Sequence, residues 1–132
     1  MFRLDNKIAL VTGSSRGIGR GIALALAKAG ADVVVNYAGN AKAAEETAGL
    51  ISDMGRKALV IQADVGEEDQ VNEMFAKIKQ EFGRLDILVN NAGVSLIKQI
   101  QDTTINDYEQ VFAVNTFGTF LYTREASKLM IA

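Results

Sequence analysis

The chain has 132 residues, of which 48% are hydrophobic and 23% charged, with a formal net charge of −2. One soluble domain with its own core is expected at this length, and the slight negative charge argues against nucleic acid or an acidic membrane as partner. With no Cys and no His, disulfides, thiol nucleophiles and Cys-ligated metals are excluded, the usual zinc ligand and general base are missing, and no metal site is expected.

In chain order, the opening MFRLDNK lacks the apolar region of a signal peptide, and no later stretch reaches the roughly 18 apolar residues of a membrane span, so a cytoplasmic location is expected. KIALV (Lys7–Val11) predicts a first strand, followed by a helix whose apolar face carries Ile18, Ile22, Ala25, Leu26 and Ala29. DVVVN (Asp32–Asn36) predicts a second strand, and Leu50, Ile51 and Met54 give the next helix a weaker stripe. KALVIQA (Lys57–Ala63) precedes a third helix with the face Val71, Met74, Phe75, Ile78 and Phe82 and acids in its first turn. LDILVN (Leu85–Asn90) is a fourth strand. Gly30, Gly55 and Gly83 stand where helices end, and Thr104 with Asp107 resembles a capping box for a last helix. Strands this uniformly apolar, recurring about every 25 to 28 residues with a helix in each interval, predict βαβ units and an open parallel sheet.

The stretch TGSSRGIG (Thr12–Gly19) joins the first strand to the first helix. Gly13 permits the tight turn, Gly17 allows close approach of a ligand to the backbone, and Gly19 lets the helix pack on the sheet. Amides of the helix's first turn, with the hydroxyls of Ser14 and Ser15, then favour an anion such as a dinucleotide pyrophosphate. The alternative is a glycine-rich turn without ligand. A Walker loop is excluded, because its Gly-Lys-Ser/Thr ending is missing.

The spacing T-G-x-x-x-G-x-G resembles the cofactor loop of the short-chain dehydrogenase/reductase family, and three further stretches fall in that family's order: ADV (Ala63–Val65), NNAG (Asn90–Gly93) and VNTFGTF (Val114–Phe120). The opening most resembles the 3-oxoacyl-acyl-carrier-protein reductase type, whereas DTTINDYEQVFAVNTFGTFLYTREA is found more broadly. The resemblance implies a Rossmann-type α/β fold, an open parallel sheet with helices on both faces, cut after the fourth strand and the following helix. It implies a nicotinamide dinucleotide held by Gly13, Ser14, Ser15, Arg16, Gly17, Ile18, Gly19, Asn36, Tyr37, Asp64, Val65, Asn90, Ala92 and Gly93. Asp64 would hold the adenine, and Asn115 would be the one catalytic-tetrad member present.

NAD-binding domains commonly end the second strand with an acid that binds the ribose diol. Here the end reads Val35-Asn36-Tyr37-Ala38, with no acid to repel a 2′-phosphate. Arg16 in the glycine loop offers a fixed cation. NADP(H) is therefore expected over NAD(H). The alternatives are a solvated charge for Arg16 and strand-end packing for Tyr37.

Relatives reduce a carbonyl with a Tyr-x-x-x-Lys pair and a Ser. Four residues after Tyr37, Tyr108 and Tyr122 stand Ala41, Phe112 and Ala126, so none qualifies. Ser127 and Lys128 read as surface, and Asp102, Asp107 and Glu109 as caps and solvated charges. The expectation is a single cofactor-binding half-domain over 1–132 of an NADP(H)-dependent carbonyl or 3-oxoacyl reductase, inactive alone and acting on a small carbonyl or alcohol once completed. The alternative is a non-catalytic dinucleotide-binding or assembly module. A lone apolar edge strand and a helix bearing Val111, Phe112, Val114, Phe117, Phe120 and Leu121 predict a homo-oligomer or a complementing chain.

Overall fold

The four β-branched runs form strands in the computed structural model, which describes residues 2–131. They are β1 (Ile8–Val11), β2 (Asp32–Tyr37), β3 (Ala58–Gln62) and β4 (Ile87–Val89). All pairings are parallel in the order β3-β2-β1-β4. Leu10 stands opposite Val34 on one side and Leu88 on the other, and Val34 opposite Leu59. The helices between them are α1 (Gly17–Lys28), α2 (Ala41–Asp53) and α3 (Glu68–Phe82). After β4 come α4 (Ile105–Phe112), a π-helical turn (Ala113–Phe117) and α5 (Gly118–Ile131).

Strand alternation divides the core into two layers. Ile8, Leu10, Val34 and Ile61 pack with Val71, Met74, Phe75 and Ile78 of α3 and Leu121, Tyr122 and Ala126 of α5. Val11, Val33 and Val35 face the other way, onto Ala23 and Ala27 of α1 and Ala44 and Ile51 of α2. Each fully buried aliphatic side chain contributes about 1.5–3 kcal/mol, so the sheet is held from both faces, as its uniformly apolar strands require.

The predicted α3 face is the observed one, with Phe82 half-buried at its end. Gly30, Gly55 and Gly83 all take positive φ past their helices. The Thr104–Asp107 capping box forms in both directions. The Asp107 carboxylate also accepts from Lys98 Nζ at 2.7 Å, and this bond, followed by that from the Thr104 amide, lowers its pKa to about 2.

Two predicted faces need correction. In α1 the buried residues are Gly19, Ala23 and Ala27, while Ile18 is 78% exposed and Ala25 is exposed. In α2 they are Ala44, Thr47, Ala48 and Ile51, with Leu50 and Met54 exposed. The buried line of α1 is built from Gly and Ala alone, and that of α2 from Ala and Thr with the single large residue Ile51. The other large apolar residues are displaced to the flanks.

Tyr122 is completely buried, and its ring meets Phe75 edge-on at 5.5 Å and 79°. Among the described residues its hydroxyl donates only to Met74 Sδ, at 3.6 Å, and a thioether is a weak acceptor. Burial, and secondarily Asp64, push the phenol's pKa far up. Tyr122→Phe should therefore leave stability unchanged or raise it by up to about 1 kcal/mol, because a desolvated hydroxyl with a poor partner returns little. Urea denaturation checks this, and a loss above about 1 kcal/mol would show that the sulfur contact stabilises the fold.

Candidate functional site

Parallel strands all end on one side, and the loops leaving them border a crevice there. Here the crevice encloses about 730 Å³, within the roughly 300–1,000 Å³ of small-molecule sites. Its walls are Gly13, Ser15, Arg16 and Gly17 after β1, Asn36 and Ala38–Asn40 at the end of β2, Ala63–Val65 after β3, Asn91–Val94 after β4, and Gln110 and Val114.

The glycine loop is held at its base. Gly13 N–H donates to Asn36 Oδ1 (3.1 Å), and Asn91 Nδ2 donates to the carbonyls of Thr12 and Gly13 (3.1 Å each). Thr12 Oγ1 accepts from the Asn91 and Ala92 amides at 3.0 and 2.9 Å. Asn36 Nδ2 reaches the Ala63 carbonyl at 3.2 Å, so one buried amide joins the loop to the end of β3. The upper part of the loop is left open. The amides of Arg16, Gly17 and Ile18 have no hydrogen-bond partner among the described residues. Gly17 sits at φ +61 with nothing within 4 Å of where a Cβ would be, which is the clearance a ligand needs to reach those amides.

The predicted residues divide accordingly. Gly13, Ser15, Arg16, Gly17, Asn36, Asp64, Val65, Ala92 and Gly93 share the crevice wall. Ile18 and Gly19 are in the first turn of α1. The Ser14 hydroxyl is completely buried, donates to the Val11 carbonyl (2.7 Å) and accepts from the Asn36 amide (3.2 Å). With these two bonds it closes the turn after β1. Tyr37 is the last residue of β2 and packs on the core layer of α1 and α2, outside the crevice wall. Asn90 also lies outside that wall, with Nδ2 donating to Thr123 Oγ1 at 3.3 Å.

Asn115 sits in the π-helical turn. Its Oδ1 accepts from Val94 N–H (2.9 Å) and its Nδ2 donates to the Val94 carbonyl (2.7 Å), so its side chain fastens the loop after β4. Arg16 caps α1 with extended backbone; its carbonyl accepts from the Arg20 amide at 3.2 Å, and its side chain makes no hydrogen bond or ion pair with any described residue. Asp64 Oδ1 accepts from the Gly66 amide at 2.9 Å, shaping the turn after β3.

Sequence reasoning missed Thr12, Asn91, Arg20 and Thr47. Thr12 and Asn91 lie inside the quoted motifs, so a hydrogen-bond accounting of the loop would have found them. Arg20 and Thr47 carry no sequence signal.

A doubly wound parallel sheet with its crevice at the strand ends and open amides at a helix start is Rossmann-like. The family model of the short chain dehydrogenases matches residues 7–132, and the chain belongs to that family. It is 47% identical over 125 residues to the versicolorin reductase of Emericella nidulans, covering 95% of this chain and 47% of that protein. It is 46% identical to the trihydroxynaphthalene reductase of Colletotrichum orbiculare, over 95% of this chain and 44% of that one. The crystal structure of a short chain dehydrogenase from Burkholderia cenocepacia in complex with NADP superposes with a TM-score of 0.94 at 39% identity, covering 97% of this chain and 52% of that one. The chain thus spans about half the length of the relatives it matches. No helix among the described residues is long and apolar enough to cross a membrane.

Proposed function

We propose that this chain supplies the cofactor-binding half of an NADP(H)-dependent oxidoreductase that reduces a small carbonyl compound or oxidises the corresponding alcohol. The observation that carries the reading is the open upper part of the glycine loop. The amides of Arg16 and Gly17 and the Arg16 guanidinium, without partners among the described residues, border a crevice whose other wall, Ala38–Asn40, has no acid. Amides at a helix start and a planar cation suit phosphate groups.

Gly13, Ser15, Gly17 and Ile18 would border the pyrophosphate, Arg16 a 2′-phosphate, Asp64 and Val65 the adenine, and Ala92 and Gly93 the ribose and nicotinamide. When bound, the nicotinamide supplies or takes up a hydride. Asn36 and Asn91 keep the loop base in place, and Asn115 positions the loop after β4. The Ser and the Tyr-x-x-x-Lys pair that move the proton in the family have no counterpart in this chain. The catalytic residues are assigned to the remaining half. The relatives named as reductases and the neighbour named with NADP support this reading over NAD(H) and over a non-redox role.

A second reading, a non-catalytic binding or assembly module, is favoured by the exposed Ile105, Tyr108, Phe112, Phe117 and Phe120 and by β4, which pairs only with β1 among the described residues. Under either reading the protein self-associates or joins a complementing chain through that surface. Light scattering should show a dimer or larger, and a monomer at high concentration would refute the assembly.

NADPH titration of this chain alone and with the proposed second half, followed by a panel of carbonyl substrates, tests the proposal. Weak NADPH binding alone and turnover only in the combined sample are expected. No binding in either sample would end the cofactor reading.

A further inference from the structure

A buried network behind the glycine loop has no role in the reading above. The Ser15 carbonyl accepts three hydrogen bonds: from Arg20 Nη2 (2.7 Å), Arg20 Nε (3.1 Å) and Thr47 Oγ1 (2.9 Å). Thr47 is completely buried in α2. The same guanidinium donates to the Ala43 carbonyl at 2.9 Å and reaches Glu46 at 3.4 Å. One arginine of α1 therefore ties the loop after β1 to the first two turns of α2, the helix that follows the opposite crevice wall.

In a trans peptide the C=O and the next N–H point in opposite directions. The Ser15 carbonyl is drawn into the α1–α2 contact, so the Arg16 N–H of the same peptide must point away from it. That amide has no protein partner among the described residues, and both Ser15 and Arg16 line the crevice. A carbonyl turned the other way would present a negative dipole to an anion at the same place. We propose that Arg20 and Thr47 are positioning residues that hold the Ser15–Arg16 peptide with its N–H toward the crevice, making the loop selective for a phosphate on the adenosine ribose. This rests on the cofactor reading, because it assigns the polarity of that same site.

The test uses Arg20→Met, which removes the donors, Arg20→Lys, which restores some, and Thr47→Val, which replaces one hydroxyl by a methyl. Each is titrated with adenosine 2′,5′-bisphosphate, NADPH and NADH, and the Arg16 amide is followed by ¹⁵N NMR without ligand. Arg20→Met should shift the Arg16 amide and weaken the bisphosphate and NADPH about tenfold, with a smaller change for NADH, since hydrogen bonds to charged groups carry about that much. Arg20→Lys should recover most of the loss. Thr47→Val should lie between, and it carries the test if Arg20→Met fails to fold.

Wild-type titrations in both Arg20→Met and Thr47→Val, or an equal loss for NADH and NADPH that Lys does not restore, would overturn the assignment. A wild-type chain that binds none of the three nucleotides would remove the cofactor reading and this assignment together. Wild-type binding with unaffected variants would remove the assignment alone.

Discussion

Gly19→Ala should cost about 2–4 kcal/mol of stability, while Gly21→Ala, two residues along the same helix, should add about 0.5–1 kcal/mol. A Cβ on Gly19 would overlap the Gly13 carbonyl oxygen and Asn91 Nδ2. Neither can withdraw freely. The Gly13 oxygen belongs to the tight turn at φ +63, and Asn91 Nδ2 is already donating to two carbonyls. Accommodation means moving α1 off β1 or surrendering those bonds, and a buried amide left unpaired costs about 1–3 kcal/mol by itself. Gly21 is exposed and has nothing within 4 Å of its would-be Cβ, so only the gain in helix propensity remains. Urea denaturation of both variants checks the pair. A Gly19→Ala protein within about 0.5 kcal/mol of wild type would mean that the close approach of helix to turn is not a constraint.

Arg16→Ala should weaken NADPH about 10- to 100-fold and NADH by less than about threefold, the range expected when a charge-assisted contact to a phosphate is lost. The side chain is exposed and bonded to nothing else among the described residues, so its stability should stay within about 0.5 kcal/mol of wild type. That separates it from Arg20, which is engaged on every side. Equal losses for both nucleotides would sink the assignment of Arg16 to a 2′-phosphate, and fluorescence titration distinguishes the cases.

Much of the fold was legible because its causes are local. Runs such as DVVVN are too short and too uniformly apolar for anything but strands buried on both faces. The α3 face was read correctly because that helix carries large side chains at helical spacing. The glycine loop was legible because turn, clearance and packing each demand glycine at its own position. The faces of α1 and α2 were not, since periodicity weighs an Ile above a Gly or Ala, while close contact selects the reverse. The bonds of the Ser14 hydroxyl were not legible for a related reason. A hydroxyl in a loop can turn to a ligand or back to its own chain, and here the Val11 carbonyl three residues earlier takes it.

The sequence by itself determined the order of strands and helices, the helix ends, the parallel class of the sheet and the address of the phosphate loop, because propensity, periodicity and glycine stereochemistry act within a few residues. Tertiary structure alone decided that Asn36 and Asn91 fasten that loop, that Asn115 sits in a π-helical turn bound to Val94, and that Arg20 and Thr47 hold the Ser15 carbonyl. Those bonds join residues far apart in the chain, and a polar side chain's partner is set by whatever the fold brings beside it.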